Sequence, residues 1–162
     1  MKYSLSVLAP LLLAVSAATF AKTRYSGEFD YRSFQPSAAY FAGQTRVQID
    51  HLCRTGEHAG TEDMEQCGRR DFERSTRALN QAVAALTVEY RKDNVDLTHE
   101  GEPAELPYFL KAQAAWVEYR DNSCYSAAYE IGEASLKYID FWYCMATRTN
   151  ERVKELRRHS DE

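Results

Sequence analysis

The chain has 162 residues, a formal charge of −4, 44% hydrophobic residues and 11 tyrosines. That length accommodates one domain with a modest core. A mildly acidic chain lacks the basic footprint of a general nucleic-acid binder and suits a cationic partner instead.

Residues 1–21 read as a cleaved secretory leader. Lys2 is the charged start, Leu5 to Ala18 is an apolar run broken only by Ser and Pro, and Thr19-Phe20-Ala21 suits signal peptidase. The run is too short to span a membrane. Cleavage after Ala21, with Ala18 as the other option, removes one positive charge. No cysteine precedes Cys53, so no lipid anchor is expected at the leader junction. The expectation is a soluble protein of the periplasm, or secreted, with no membrane anchor after cleavage.

Lys22 to Asp50 interleaves Tyr25, Phe29, Tyr31, Phe34, Tyr40 and Phe41 with Ser, Gly, Arg and Pro36. No period holds throughout. These aromatics are expected to wrap over a helical core, with an exposed binding strip as the competing reading. Ala39 to Leu52 could form one helix, with Gly43 as a blemish, and Cys53 to Gly60 is loop-like. Thr61-Glu62-Asp63 then makes an N-cap and an acidic first turn. The helix it opens is expected to reach about Arg91, with the stripe Met64, Cys67, Asp71, Ser75, Leu79, Val83, Leu86 and Tyr90. Its first half is polar, with Arg69, Arg70, Asp71, Glu73, Arg74 and Arg77.

Asp93 to Glu105 reads as a connector. It holds Asp93, Asp96, Glu100, Glu102 and Glu105 and no Lys or Arg. Such a run is a solvated loop tolerant of length changes, or a negative patch for a basic partner. Pro103 or Pro107 can start a second helix that runs to about Glu130. Gly132 breaks it. A third helix begins near Ala134 or Ser135 and runs to about Arg158, with the stripe Tyr138, Phe141/Trp142, Met145, Thr149, Arg152/Val153 and Leu156. The result is an all-α fold: a small antiparallel bundle of three main helices. The chain divides into a leader (1–21), an aromatic extension (22–50) and a helical domain (51–158).

Four cysteines in an exported chain read as two disulfides. With a turn near Gly132, Cys124 and Cys144 stand level across a hairpin, each about 12–15 Å from the turn at about 1.5 Å per residue. Cys53 then joins Cys67. Three pairings are possible, and the one joining Cys67 to Cys124 stays open, because antiparallel helices also bring Cys67 near the Cys124 end.

The second helix carries an unusual face: Leu110, Gln113, Trp116 or Val117, Arg120 and Cys124. Polar groups on a buried stripe must find partners. Gln113, Arg120, Asp121, Thr149 and Arg152 therefore read as a hydrogen-bond network between the second and third helices, with a guanidinium bidentate to Asp121. Trp116 reads as a core anchor, with Tyr119 beside it. The competing reading of this set is a recognition surface.

His51, Cys53, His58 and Cys67 contain the residue types of a zinc site. Their spacing is not a zinc pattern, and an oxidising compartment commits both thiols to a disulfide. No metal or cofactor is expected. Gly-x-Ser-x-Gly, His-Glu-x-x-His and phosphate-loop motifs are all missing, so an enzyme is not expected either.

The residues Cys53 and Cys67, Leu79-Asn80, Leu110-x-x-Gln113-x-x-Trp116-x-x-Tyr119-Arg120-Asp121-x-x-Cys124, Gly132, Ser135, Cys144 and Thr149-x-x-Arg152-x-x-x-Leu156 form a recognisable pattern. It resembles the LprI-like lysozyme-inhibitor family over Cys53 to about Leu156. Thr76 and Val83 depart from it, at places where the family usually has Asp and an aromatic. The resemblance implies a helical, disulfide-stapled envelope protein that inhibits lysozyme. An inhibitor of a cationic lysozyme needs negative charge for steering and a protruding donor for the carboxylate-lined cleft. The candidate steering residues are Asp93, Asp96, Glu100, Glu102 and Glu105. Candidate donors are exposed Tyr or Arg side chains around Gly132 or in the aromatic extension. The alternative is a non-enzymatic envelope adaptor that docks through residues 25–41.

Overall fold

Three long helices dominate because each has an apolar stripe that the other two can cover. The computed structural model describes residues 22–159, so the expected leader and its cleavage sites lie outside the described residues. A short 3-10 turn (Tyr31–Ser33) precedes α1 (Ser37–Tyr40), α2 (Arg46–Thr55), α3 (Thr61–His99), α4 (Leu106–Ile131) and α5 (Leu136–His159). No strand occurs among the described residues.

α3 and α5 run in the same direction, and α4 returns antiparallel between their ends. Near the start of α3, Phe72 meets Trp142 of α5. Further along, Leu79 and Leu86 meet Val153 and Leu156. α3 and α5 approach closely at Gly68, where an added Cβ would stand 3.1 Å from that of Trp142. One core cluster holds Phe72, Cys124, Ala128, Tyr138, Phe141, Trp142 and Met145. The other holds Leu79, Leu86, Val153 and Leu156, with Tyr90, Phe109 and Trp116 packed against it.

The disulfides are Cys53–Cys67, with Cα atoms 5.3 Å apart, and Cys124–Cys144, at 5.6 Å. The first ties α2 to α3 and the second ties α4 to α5. Both thiols of the zinc-like kit are thus in a disulfide.

Three element expectations need correction. Ala39 to Leu52 is not one helix. The chain turns at Gly43, and Thr45 opens α2 with a capping box closed by Gln48. Cys53 accordingly sits in helix rather than loop. The third correction is larger. α3 does not stop near Arg91 but continues to His99, about 58 Å at the usual helical rise. Asp93 to His99 is polar but contains no Gly or Pro, so nothing in it breaks a helix already under way. The connector shrinks to residues 100–105.

The aromatic segment lies on the bundle. Tyr25, Phe29, Tyr31 and Phe34 pack against the first core cluster, and Phe41 is buried. Phe29 sits edge-on to Tyr125, Tyr138 and Phe141 at 4.9–5.1 Å between ring centroids. Such pairs add about 0.5–1.5 kcal/mol each beyond area burial.

Candidate functional site

The turn between α3 and α4 is built to hold one shape. Gly101 has φ +85°, a left-handed conformation that glycine adopts without a Cβ penalty. Glu102 N donates to Leu97 O at 2.9 Å and Gly101 N to Thr98 O at 3.3 Å. These two bonds close α3 in a Schellman cap. The start of α4 is then tied back to α3. Asn94 Oδ1 accepts Glu105 N at 2.8 Å and Leu106 N at 3.4 Å, satisfying two amides that a helix start leaves open. Pro107 occupies the first turn of α4, and Tyr90 packs edge-on against Phe109 at 5.0 Å.

This apex gathers the acidic residues. Asp93 and Asp96 lie on the last turns of α3, Glu100 caps it, Glu102 is in the turn, and Glu105 precedes α4. All five are exposed or half-exposed. Asp96 and Glu100 stand at the negative pole of the α3 dipole, where each carboxylate costs about 0.3–1 kcal/mol. The region read from sequence as a tolerant loop is therefore a pinned helical hairpin end. Cap residues Gly101 and Asn94 carry it; the expected end near Arg91 passed over the glycine, and Asn94 acts on a helix eleven residues away.

At mid-bundle, Arg120 Nε and Nη2 both donate to Asp121 Oδ1, at 2.9 and 2.6 Å. Arg120 Nη1 donates to Thr149 Oγ1 at 3.3 Å, and that hydroxyl donates to Met145 O at 2.6 Å. Arg152 Nε donates to Gln113 Oε1 at 3.1 Å, and Arg152 also pairs with Glu155 at 2.6 Å. The Arg120 guanidinium lies 5.2 Å from the Phe72 ring centroid and 5.3 Å from that of Trp116. Trp116 is only half-buried. Tyr119 stands outside this set; it is mostly exposed and its hydroxyl accepts Arg148 Nη1 at 3.2 Å.

Two partners of this network were not foreseen. Tyr31 Oη and Arg32 Nη2 both donate to Asp121 Oδ2, at 3.1 and 2.9 Å. Burial first, then the Asp121 charge, pushes the Tyr31 hydroxyl up in pKa. The N-terminal strap is thus bonded to the α4–α5 junction. It is also clamped on α3 and α5. Lys137 Nζ donates to Tyr25 O and Gly27 O, both at 2.8 Å, and Tyr138 Oη to Arg24 O at 2.5 Å. Arg69 Nη2 donates to Phe34 O at 2.5 Å, and Ser37 donates twice to Glu73. Arg24 pairs with the buried Glu65 at 2.5 Å. Burial raises the Glu65 carboxyl above the usual range. The signal for these buried charges was the i, i+4 series Glu65, Arg69, Glu73 on one face of α3.

His51 and His58 lie on exposed surface, each against Glu57 at 3.2 and 3.7 Å. Among the described residues, no group of three or more His, Cys, Asp or Glu is placed to hold a metal ion. No helix among them is long and apolar enough to cross a membrane.

Comparison with known proteins gives two positive results. The profile of the family described as "Lysozyme inhibitor LprI" matches residues 53–156. An uncharacterized protein of Rhizobium meliloti (strain 1021) is 29% identical over 100 residues, covering 59% of this chain and 70% of that protein. No solved structure matches.

Proposed function

Because the chain belongs to the lysozyme inhibitor LprI family, an inhibitor family rather than an enzyme family, we propose that it binds a cationic lysozyme through the acidic α3–α4 apex and blocks cell-wall hydrolysis. The observation that carries this reading is the apex itself: five carboxylates held on a capped, doubly tied helical turn. A surface already in its bound shape loses little ordering entropy on association. Clustered charge steers an oppositely charged partner and speeds encounter by about 10–10³-fold at low salt. Carboxylates set against a helix dipole are relieved when a cation arrives, which adds to binding.

The central network supports the apex by fixing α4 against α5; we infer no ligand contact for Gln113, Arg120, Asp121, Thr149 or Arg152. The adaptor alternative loses support, because the strip it would use, residues 25–41, is packed on the core. Two disulfides fit an oxidising compartment, and we infer that the protein acts in the periplasm or outside the cell.

A cell-wall lysis assay tests the reading. The oxidised chain, titrated into lysozyme at low salt, should inhibit stoichiometrically and weaken as salt rises. A variant with Asp93→Asn, Asp96→Asn, Glu100→Gln, Glu102→Gln and Glu105→Gln should inhibit about ten-fold or more weakly at low salt, with little salt dependence left. Equal inhibition by both proteins overturns the apex as the docking surface.

A further inference from the structure

We propose that Tyr108 is the anchor that enters the lysozyme cleft, with the apex carboxylates as its steering rim. This rests on the docking surface argued above and adds to it the residue that holds the complex together.

Tyr108 is 69% exposed and stands in the first turn of α4, between Pro107 and the half-buried Phe109. Its backbone N donates to Glu105 O at 3.0 Å, so the turn that presents it is formed. Phe109 packs on Tyr90 and Asn94 caps the same helix start. The ring therefore projects from a fixed base, and among the described residues its hydroxyl has no hydrogen-bond partner. The other exposed tyrosines are placed differently. Tyr119 carries Arg148 on its ring and its hydroxyl. Tyr129 accepts Phe29 N at 3.3 Å and lies under Lys137. Tyr40 donates to Asp63. Tyr143 projects from the first third of α5, away from the acidic end.

A tyrosine brings large contact area at low entropic cost and a donor hydroxyl. A glycosidase cleft offers an acid and a carboxylate that flank the scissile bond, which suits that donor. Rim charge governs association, whereas a buried aromatic anchor governs dissociation. The two parts of the apex thus separate kinetically.

Association and dissociation rates on immobilised hen-type lysozyme test this. Tyr108→Ala should raise the dissociation rate about ten-fold or more and leave the association rate and its salt dependence near wild type. Tyr108→Phe should fall between the two. A soluble N-acetylglucosamine oligomer that fills the cleft should compete with the wild-type chain. Thermal unfolding of both variants should match wild type, since the side chain is exposed. If the five-carboxylate variant binds weakly but Tyr108→Ala binds like wild type, the anchor is wrong and the docking surface stands. If the sugar oligomer does not compete, the anchor is likewise wrong. If the wild-type chain does not bind lysozyme at all, both the docking surface and the anchor fall.

Discussion

Asp121 shows how much one carboxylate carries. It accepts Arg120 twice, Arg32 and Tyr31, so the strap and α4 meet on it, and Arg120 carries the link on to Thr149 of α5. Asp121→Ala would leave the buried Arg120 guanidinium without its counter-charge. That loss costs about 3–5 kcal/mol, read as a shift of the urea midpoint at unchanged slope. Glu65 behaves in the opposite sense. Its carboxyl keeps a proton to higher pH in the folded chain than in the unfolded one, because burial outweighs the attraction of Arg24. In that window the native state binds more protons, so stability contributed at this site falls as pH rises. Glu65→Gln should remove that slope: from mildly acidic to neutral pH the wild type loses thermal midpoint relative to the variant. A constant difference between the two would show that Glu65 does not titrate this way. The sequence showed Arg120 and Asp121 needing partners, since a helix face that mixes Trp, Arg and Cys must satisfy its polar groups. It did not show Tyr31 and Arg32, because their segment has no period from which to read an orientation.

At the scale of elements, the α3–α4 turn separates what composition conveys from what caps convey. Five carboxylates and no Lys or Arg suggested a solvated loop. The helix continues through Asp93 and Asp96 because no breaker intervenes before Gly101. Gly101→Ala would force a side chain into φ +85° and should cost about 1–2 kcal/mol. Asn94→Ala should cost about 1 kcal/mol, the usual value of a lost N-terminal cap. Both changes are read by thermal unfolding, and both should also weaken lysozyme binding by loosening the apex. The Cys124–Cys144 staple was legible from the position of Gly132 between its two cysteines. Replacing both cysteines by Ser should cost about 2–5 kcal/mol and bring the unfolding transition down in urea. Gly43 read only as a blemish, and the Thr45–Gln48 capping box after it was hidden by the helical spacing on either side.

At the scale of the molecule, the fold class followed from three stripes of 3.6-residue period and short connections. The packing of the strap's aromatics on the core followed from their number, but its polar hold did not, since that comes from backbone carbonyls accepting Lys137, Tyr138 and Arg69. No sequence pattern specifies such bonds. The bundle with its strap carries its acidic end away from the aromatic core. Charge at that end works against the fold, and under the proposed docking it works for the partner. Asp96→Asn with Glu100→Gln should therefore raise the thermal midpoint slightly while weakening lysozyme binding. A change of the same sign in both would contradict that division.

Amide hydrogen exchange, measured on the oxidised chain alone and with excess lysozyme, tests the docking surface most directly. Added protection confined to residues 93–109, with the strap and mid-bundle unchanged, is the predicted result. Protection centred on residues 25–41, or no change anywhere at stoichiometric lysozyme, would contradict it.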